Sequence, residues 1–303
     1  MDQIILIYQE EEANRIDKYL ANELEDVTRS QVQLLINDEK VLVNNKVVKC
    51  NYILKTNDEI YVEIPDPVVA DIKPENIPLD IYYEDSDVIV INKPSGMVVH
   101  PGNGNYEHTL VNALMYHCQD LSSINGTIRA GIVHRIDKDT SGLLVACKND
   151  FAHKELSKQF MNKTVSRKYY AICYGVIPHN QGKIDAPIGR NPQNRQQMAV
   201  VENGKHAVTH FKVLERFDKY TLCEMVLETG RTHQIRVHMK YIGYPLVGDP
   251  LYGPRNVIGD HGQFLHAKTL GFTHPRTNKF IEFTSPLPDY YEEFLNELRR
   301  NNK

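Results

Sequence analysis

Four prolines, Pro65, Pro67, Pro74 and Pro78, fall within one short stretch that also carries several acids. Each proline lacks an amide proton and fixes its own φ, so neither a helix interior nor a central strand can run through the stretch. No periodic apolar pattern offers it a core. Residues 65–79 are therefore expected to form an extended linker. That linker divides the 303-residue chain into a small unit over 14–64 and a larger one over 80–303. The larger unit is long enough to bury a core of its own.

The small unit reads as two helices and a few short strands. Ile16, Tyr19, Leu20 and Leu24 share one helical face. Thr28 with Gln31 three residues on has the spacing of a capping box ahead of Val32, Leu35 and Ile36. Val41–Val43 and Lys46–Val48 flank Asn44-Asn45, which predicts a tight hairpin. Ile60–Ile64 alternates as a closing strand.

In the larger unit Asp87–Asn92 reads as a buried strand that ends in the turn Lys93-Pro94-Ser95-Gly96. Helical periodicity covers 109–118 and 150–162, and a terminal helix covers 289–300. Strand alternation covers 164–175, 207–217 and 220–227. Thr232 is placed to N-cap a further helix whose Ile235 and Met239 share one face. Strands joined by hairpins with helices interspersed predict an α+β fold on a mainly antiparallel sheet.

Charge is divided as unevenly as structure. Residues 1–90 hold 8 Lys/Arg against 20 Asp/Glu, whereas residues 91–303 hold 27 against 19. The C-terminal part thus has the electrostatic means to meet phosphate. Five cysteines lie far apart with no C-x-x-C pair, which argues for reduced thiols and against a disulfide framework or zinc site. The start, MDQIILIYQEEEANR, has no basic leader and one short apolar run, unlike a signal peptide. Nothing approaches the length of a membrane span. A cytoplasmic, non-membrane protein is expected.

Three segments carry chemistry. His134-Arg135-Ile136-Asp137-Lys138-Asp139-Thr140-Ser141-Gly142 sets a carboxylate between cations at the entry to a strand. A carboxylate so placed can be held ionised and aimed at a substrate, which makes Asp137 the first candidate nucleophile or base. Arg167-Lys168-Tyr169-Tyr170-Ala171 lies on a strand, so its two tyrosines point to opposite faces and only one can share a cleft with Asp137. Leu227–Arg236 puts Arg231 at a glycine-permitted bend before a helix, where it can pair with a buried carboxylate. Weaker signals are a lone Asp137-x-Asp139 that could chelate magnesium and His233 with His238 at a poor chelating offset. Gly102-x-Gly104 lacks the setting of a dinucleotide loop.

These motifs resemble those of the RluA/RluD-type RNA pseudouridine synthases. His134–Gly142 is similar to that family's H-R-[IL]-D-x-x-T-S-G signature, and Asn92–Gly96 to its N-K-P-x-G motif. Arg167–Ala171 and Thr229–Arg236 are similar to its tyrosine strand and T-G-R-T-H-Q-I-R block. Residues 14–64 resemble an S4 RNA-binding module, with Lys40 and Asn57 standing where that module usually has glycines.

The resemblance implies a reaction, the isomerisation of uridine in RNA to pseudouridine without cofactor or metal. It implies Asp137 as the essential carboxylate, Tyr169 as the aromatic packed on uracil and Arg231 as the ion-pair partner of Asp137. It further implies RNA contact by Arg135, Arg15 and Arg29, with Arg135 filling the space left by an extruded base. Large-subunit (23S) ribosomal RNA is the implied substrate and RNA the implied partner of a monomer. The alternatives are a tRNA-directed enzyme, an idle RNA-binding or ribosome-assembly protein, and a metal-dependent phosphotransfer site on Asp137 and Asp139.

Overall fold

The computed structural model describes residues 2–10, 13–24, 29–64, 72–102, 105–118, 121–122, 124, 130–194 and 197–301, with the side chains of 2, 3, 29–31 and 64 left aside. Residues 1–70 and 71–303 are two compact units.

In the first unit β1 (Asp2–Ile7), α1 (Ile16–Glu23), α2 (Arg29–Asn37), β2 (Val41–Val43), β3 (Lys46–Val47) and β4 (Glu59–Ile64) build a sheet of order β1-β4-β2-β3. Its core joins Ile16 and Leu20 of α1 to Val32 and Ile36 of α2 and to Val41, Ile60 and Val62 of the sheet. Asn44 and Asn45 take φ of 49° and 62°, the double left-handed turn that matches strand twist in a two-residue hairpin. Asn57 takes φ 73°, so asparagine supplies the left-handed backbone for which a glycine is usual. At the other glycine position the left-handed residue is the neighbour, Glu39 at φ 59°, while Lys40 pairs with Glu63. The unit also starts earlier than residue 14, because β1 pairs with β4 along its whole length. Thr28, the expected cap of α2, lies outside the described residues.

The second half of the expected linker is not free. Asn112 Nδ2 donates to Lys73 O at 2.9 Å, and Glu75 N donates to Asn112 O at 3.0 Å. Buried polar groups at the start of a helix recruit this extended chain, so residues 73–75 belong to the second unit. Residues 65–71 lie outside the described ones.

The second unit runs β5 (Ile81–Glu84), β6 (Val88–Lys93), α3 (Leu110–His117), β7 (Ser141–Cys147), α4 (Asp150–Met161), β8 (Ser166–Tyr174), β9 (Gln181–Asp185), β10 (Ile188–Arg190), β11 (Met198–Val200), β12 (Val208–Arg216), β13 (Tyr220–Leu227), α5 (Gln234–Tyr241), β14 (Leu265–Thr273), β15 (Phe280–Thr284) and α6 (Asp289–Asn301). Nine strands form one sheet of order β5-β6-β7-β14-β8-β13-β12-β9, with β15 on β14. Its pairings are antiparallel except β7 with β14. The fold is α+β on a mixed, mainly antiparallel sheet. Helix α4 packs Ala152 and Leu156 against β6, β7 and β14, while α6 packs Tyr291 and Leu295 against Ile172, Leu222 and Phe264. Among the described residues no helix is long and apolar enough to cross a membrane.

Register explains how residues far apart in sequence meet. Ala267 of β14 lies opposite Gly142 of β7 on one side and Tyr169 of β8 on the other. A Cβ on Gly142, whose φ is 114°, would fall 2.4 Å from Ala267 O, so only glycine lets these strands close up. The loop before β7 is thereby brought beside the middle of β8. The C-terminal end of β13 joins them, since Val226 pairs with Lys168.

Candidate active site

Asp137 sits in the loop that enters β7, and Thr140 N donates to Asp137 O at 3.1 Å to close a turn. The loop is clamped from below by the Lys93–Gly96 turn. Lys93 Nζ is buried and donates to Lys138 O at 2.9 Å, to Pro94 O at 2.7 Å and to Met97 O at 2.8 Å. Gly96 N also reaches Lys138 O, and Ser95 Oγ reaches Asp139 O, each at 3.0 Å. Burial pushes the Lys93 pKa down to about 7, while Asp139 and Asp137 pull it up. Three carbonyls around one ammonium favour its charged form. Lys93 therefore fixes the backbone that presents Asp137.

Asp137 opens onto two compartments. One encloses about 550 Å³ and is lined by Tyr169, Arg167, Lys163, Leu265, Gly230 and Arg231 among others. The other, about 350 Å³, is lined by His100, Asn105, Lys138 and Leu251. Arg135, Asp137, His233 and Arg236 belong to both. The three segments singled out from sequence thus meet in one groove. Within the second, Tyr169 faces the groove, whereas Tyr170 packs with the α6 core, as strand alternation requires. Burial raises the Tyr169 pKa, with Arg167 opposing and Asp137 adding to the shift.

The ion-pair partner of Asp137 differs from the expected one. Arg236 Nη1 lies 3.0 Å from Asp137 Oδ2, and its Nε and Nη2 reach Asp249 Oδ2 and Oδ1 at 2.7 and 2.9 Å. Arg231 lines the same groove but turns its Nε to His206 O at 3.0 Å. The local backbone explains the exchange. Helix α5 is capped by His233 in the left-handed region, at φ 56° and ψ 23° with no side-chain cap bond, and not by Thr232. Gln234 ties the turn instead, accepting from Arg231 N and Thr229 Oγ1 and donating to Val208 O. Helix growth from that point rotates Arg236 inward and leaves Arg231 on the exposed bend.

Cations frame the groove. Arg135 is exposed, with Nη1 3.4 Å from His100 Nε2. The Arg167 guanidinium lies over the Phe160 ring at 5.5 Å, and that ring stacks on His134 at 4.6 Å. His134 is itself neutral: its Nε2 accepts from Val145 N at 3.0 Å, and burial, with Arg167 nearby, drives its pKa to about 3. Among the described residues neither Arg135, Lys163, Arg167 nor Arg231 has a carboxylate within ion-pair distance, and unpaired cations in a groove are available to phosphate. Of the cations expected in the first unit, Arg15 pairs with buried Asp17 at 3.0 Å, and the Arg29 side chain lies outside the described residues.

His238, read as a poor chelating partner, is a core residue bonded to Thr209 Oγ1 and Ala186 O. Two groups of metal-ligand type occur among the described residues, Glu84–His117–Cys118 and Asp85–Asp87–His274, and neither lines the groove. Sequence reasoning missed the roles of Arg236, Asp249 and Lys93. Arg236 and Lys93 stood within recognised motifs, but Asp249 carried no signal beyond its place in a Gly-Asp-Pro turn.

Residues 87–241 match the RNA pseudouridylate synthase family and residues 14–60 match the S4 domain. The chain is 57% identical to the uncharacterized RNA pseudouridine synthase YlyB of Bacillus subtilis strain 168, over 99% of this chain and 100% of that one. It is 44% identical to the ribosomal large subunit pseudouridine synthase D of Zymomonas mobilis, over 95% of each chain. The solved structure of human RNA pseudouridylate synthase domain containing 1 superimposes with a TM-score of 0.58 at 26% identity, covering 74% of this chain and 96% of that one. The chain belongs to the RNA pseudouridylate synthase family, and it is an enzyme of that class.

Proposed function

We propose that this enzyme isomerises uridine in large-subunit ribosomal RNA, with Asp137 as the reacting carboxylate. One observation carries the reading. Asp137 Oδ2 is held by Arg236, while Oδ1 has no partner among the described residues and Asp137 lines the 550 Å³ compartment. A carboxylate gripped on one oxygen and open on the other is oriented without being neutralised. The volume lies in the range of about 300–1,000 Å³ that suits a small ligand, here one extruded nucleoside.

The reaction is the isomerisation that membership of the RNA pseudouridylate synthase family implies. The N1–C1′ bond breaks, the uracil turns, C5 bonds to C1′, the C5 proton leaves and N1 takes up a proton. Every heavy atom stays within one nucleoside, and the proton lost from C5 is matched by one gained at N1, so the reaction needs no redox partner and no transferred group. Tyr169 packs on the base, Arg135 enters the space the base leaves, and Lys163, Arg167 and Arg231 meet phosphate. Extrusion of the base costs a few kcal/mol, which these contacts offset. Two relatives named as ribosomal large subunit pseudouridine synthase D, from Zymomonas mobilis and Pseudomonas aeruginosa, support the choice of substrate.

Because product and substrate have equal mass, carbodiimide labelling with primer extension is the test. Ribosomal RNA from cells lacking this protein should lose specific stops, restored by the wild-type gene and not by Asp137→Asn. Restoration by that variant would remove Asp137 from the chemistry. Stops lost from tRNA alone would move the substrate.

A further inference from the structure

His233 stands between the two compartments that flank Asp137, and it holds an unusual backbone. A non-glycine residue in the left-handed region costs about 1–2 kcal/mol, and such positions cluster at functional sites. Its ring is held just as firmly. Nδ1 lies 2.8 Å from Tyr252 Oη, and Met198 N donates to that same Oη at 2.8 Å. Tyr252 is buried, and Nδ1 is the one acceptor within reach of its hydroxyl proton among the described residues. The phenol therefore accepts from the Met198 amide and donates to Nδ1. That leaves the imidazole proton on Nε2.

Nε2 has no partner among the described residues, and His233 makes no contact with Asp137 within ion-pair distance. Burial lowers the His233 pKa; Arg236 and Arg135 act in the same direction, and Asp137 and Asp249 oppose them. The neutral state has a chemical consequence. An imidazolium here would add a positive charge beside Asp137, whereas the neutral ring offers its N–H without one.

We propose that His233 is a substrate-binding residue whose Nε2–H, fixed in that tautomer by Tyr252, donates to an acceptor oxygen of the uridine lying against Asp137. Tyr252 is then a positioning residue that acts through His233. The inference rests on the functional reading above and adds a donor to it. A carbonyl of uracil or a ribose oxygen satisfies the same geometry, and both belong to the one nucleoside.

The test compares three replacements of His233 in the full-length enzyme, by single-turnover pseudouridine formation on a ribosomal RNA fragment. The amide nitrogen of glutamine superimposes on Nε2, whereas that of asparagine ends where Nδ1 was. Asparagine, however, tolerates the left-handed backbone better. A donor role predicts that His233→Gln keeps most of the rate while His233→Asn and His233→Ala lose roughly tenfold, the worth of about one hydrogen bond. A purely backbone role predicts the reverse order of Gln and Asn. Tyr252→Phe frees the ring to protonate, so its rate should fall on the acid side at higher pH than in wild type, with RNA affinity unchanged. Asn matching or exceeding Gln, or superimposed pH profiles for wild type and Tyr252→Phe, would overturn the inference while wild-type activity upholds the reaction. Wild type that forms no pseudouridine would overturn both.

Discussion

Arg236 joins Asp137 to Asp249: one guanidinium touches the groove carboxylate at 3.0 Å and the buried one at 2.7 and 2.9 Å. Two carboxylates share one cation, and burial and charge act on the arginine in opposite senses, with the aspartates winning and its pKa rising. The side chain of Arg236 is 5% exposed and that of Asp249 fully buried. The cluster therefore fixes α5 to the Asp137 loop and also sets the charge next to the groove carboxylate.

Arg236→Leu should lower unfolding stability by about 3–5 kcal/mol, because it strands Asp249 in the interior. It should also abolish activity. Arg231→Leu should leave stability within about 0.5 kcal/mol and weaken RNA binding instead, since among the described residues the exposed Arg231 side chain bonds only to the His206 carbonyl. Urea unfolding and RNA titration of the two variants check this. Equal loss of stability would contradict the reassignment of the ion pair.

Lys93→Met should lower activity by about a hundredfold, since an ångström of drift in a reacting group can cost that much. It keeps the buried stem but leaves the carbonyls of Pro94, Met97 and Lys138 without their shared donor. Lys138 O keeps the Gly96 amide, but the carbonyls of Pro94 and Met97 lose the donor that ties them to the strand, so the melting temperature should fall as well. A variant with a wild-type melting curve and full rate would show that Lys93 does not hold the loop.

The division between what the sequence disclosed and what it hid follows physical lines. Patterns that depend on neighbours along the chain were legible: Asn44-Asn45 dictates its hairpin, and strand alternation alone sends Tyr169 and Tyr170 to opposite faces. The Asp137 loop was legible because its charges and hydroxyls are contiguous. The identity of the partner arginine was not. Arg231 and Arg236 both lie near a helix start, and which one turns inward depends on a left-handed residue at His233 that helical periodicity does not reveal. Strand β1 was also hidden, because its run of Ile4 to Ile7 matters only once β4 lies beside it.

Acidification should destabilise the second unit between pH 6.5 and about 3. Burial lowers the pKa of His134 and of His266 from 6.5 to about 3, assisted by Arg167 and Lys268 respectively. His266 bridges Ser141 and Ser285, so its neutral form is built into the core. Across that window the unfolded chain holds more protons than the folded one, and stability therefore falls as pH falls. The effect is absent above pH 7 and reaches on the order of 2 kcal/mol per histidine by pH 5. Urea midpoints at pH 7.5 and pH 5 measure it; identical midpoints would contradict it.

The two units should separate cleanly only if the cut respects the pairing described above. A fragment of residues 71–303 keeps the anchoring of residues 73–75 on Asn112 and the core clusters under α4 and α6, so it should fold cooperatively and still modify a short RNA. For the first unit the N-terminal strand decides. Tyr8 is 1% exposed, stacks edge-on to Tyr19 at 4.9 Å, and follows a strand paired with β4 from residue 2 to residue 7. A fragment of residues 1–70 should therefore melt cooperatively, whereas one of residues 14–70 loses an aromatic from a small core, about 3–5 kcal/mol by itself, and uncovers β4. Units this small have little stability to lose, so the shorter fragment should be largely unfolded by circular dichroism. A cooperative transition in the 14–70 fragment would show that β1 is dispensable and that the module begins at α1.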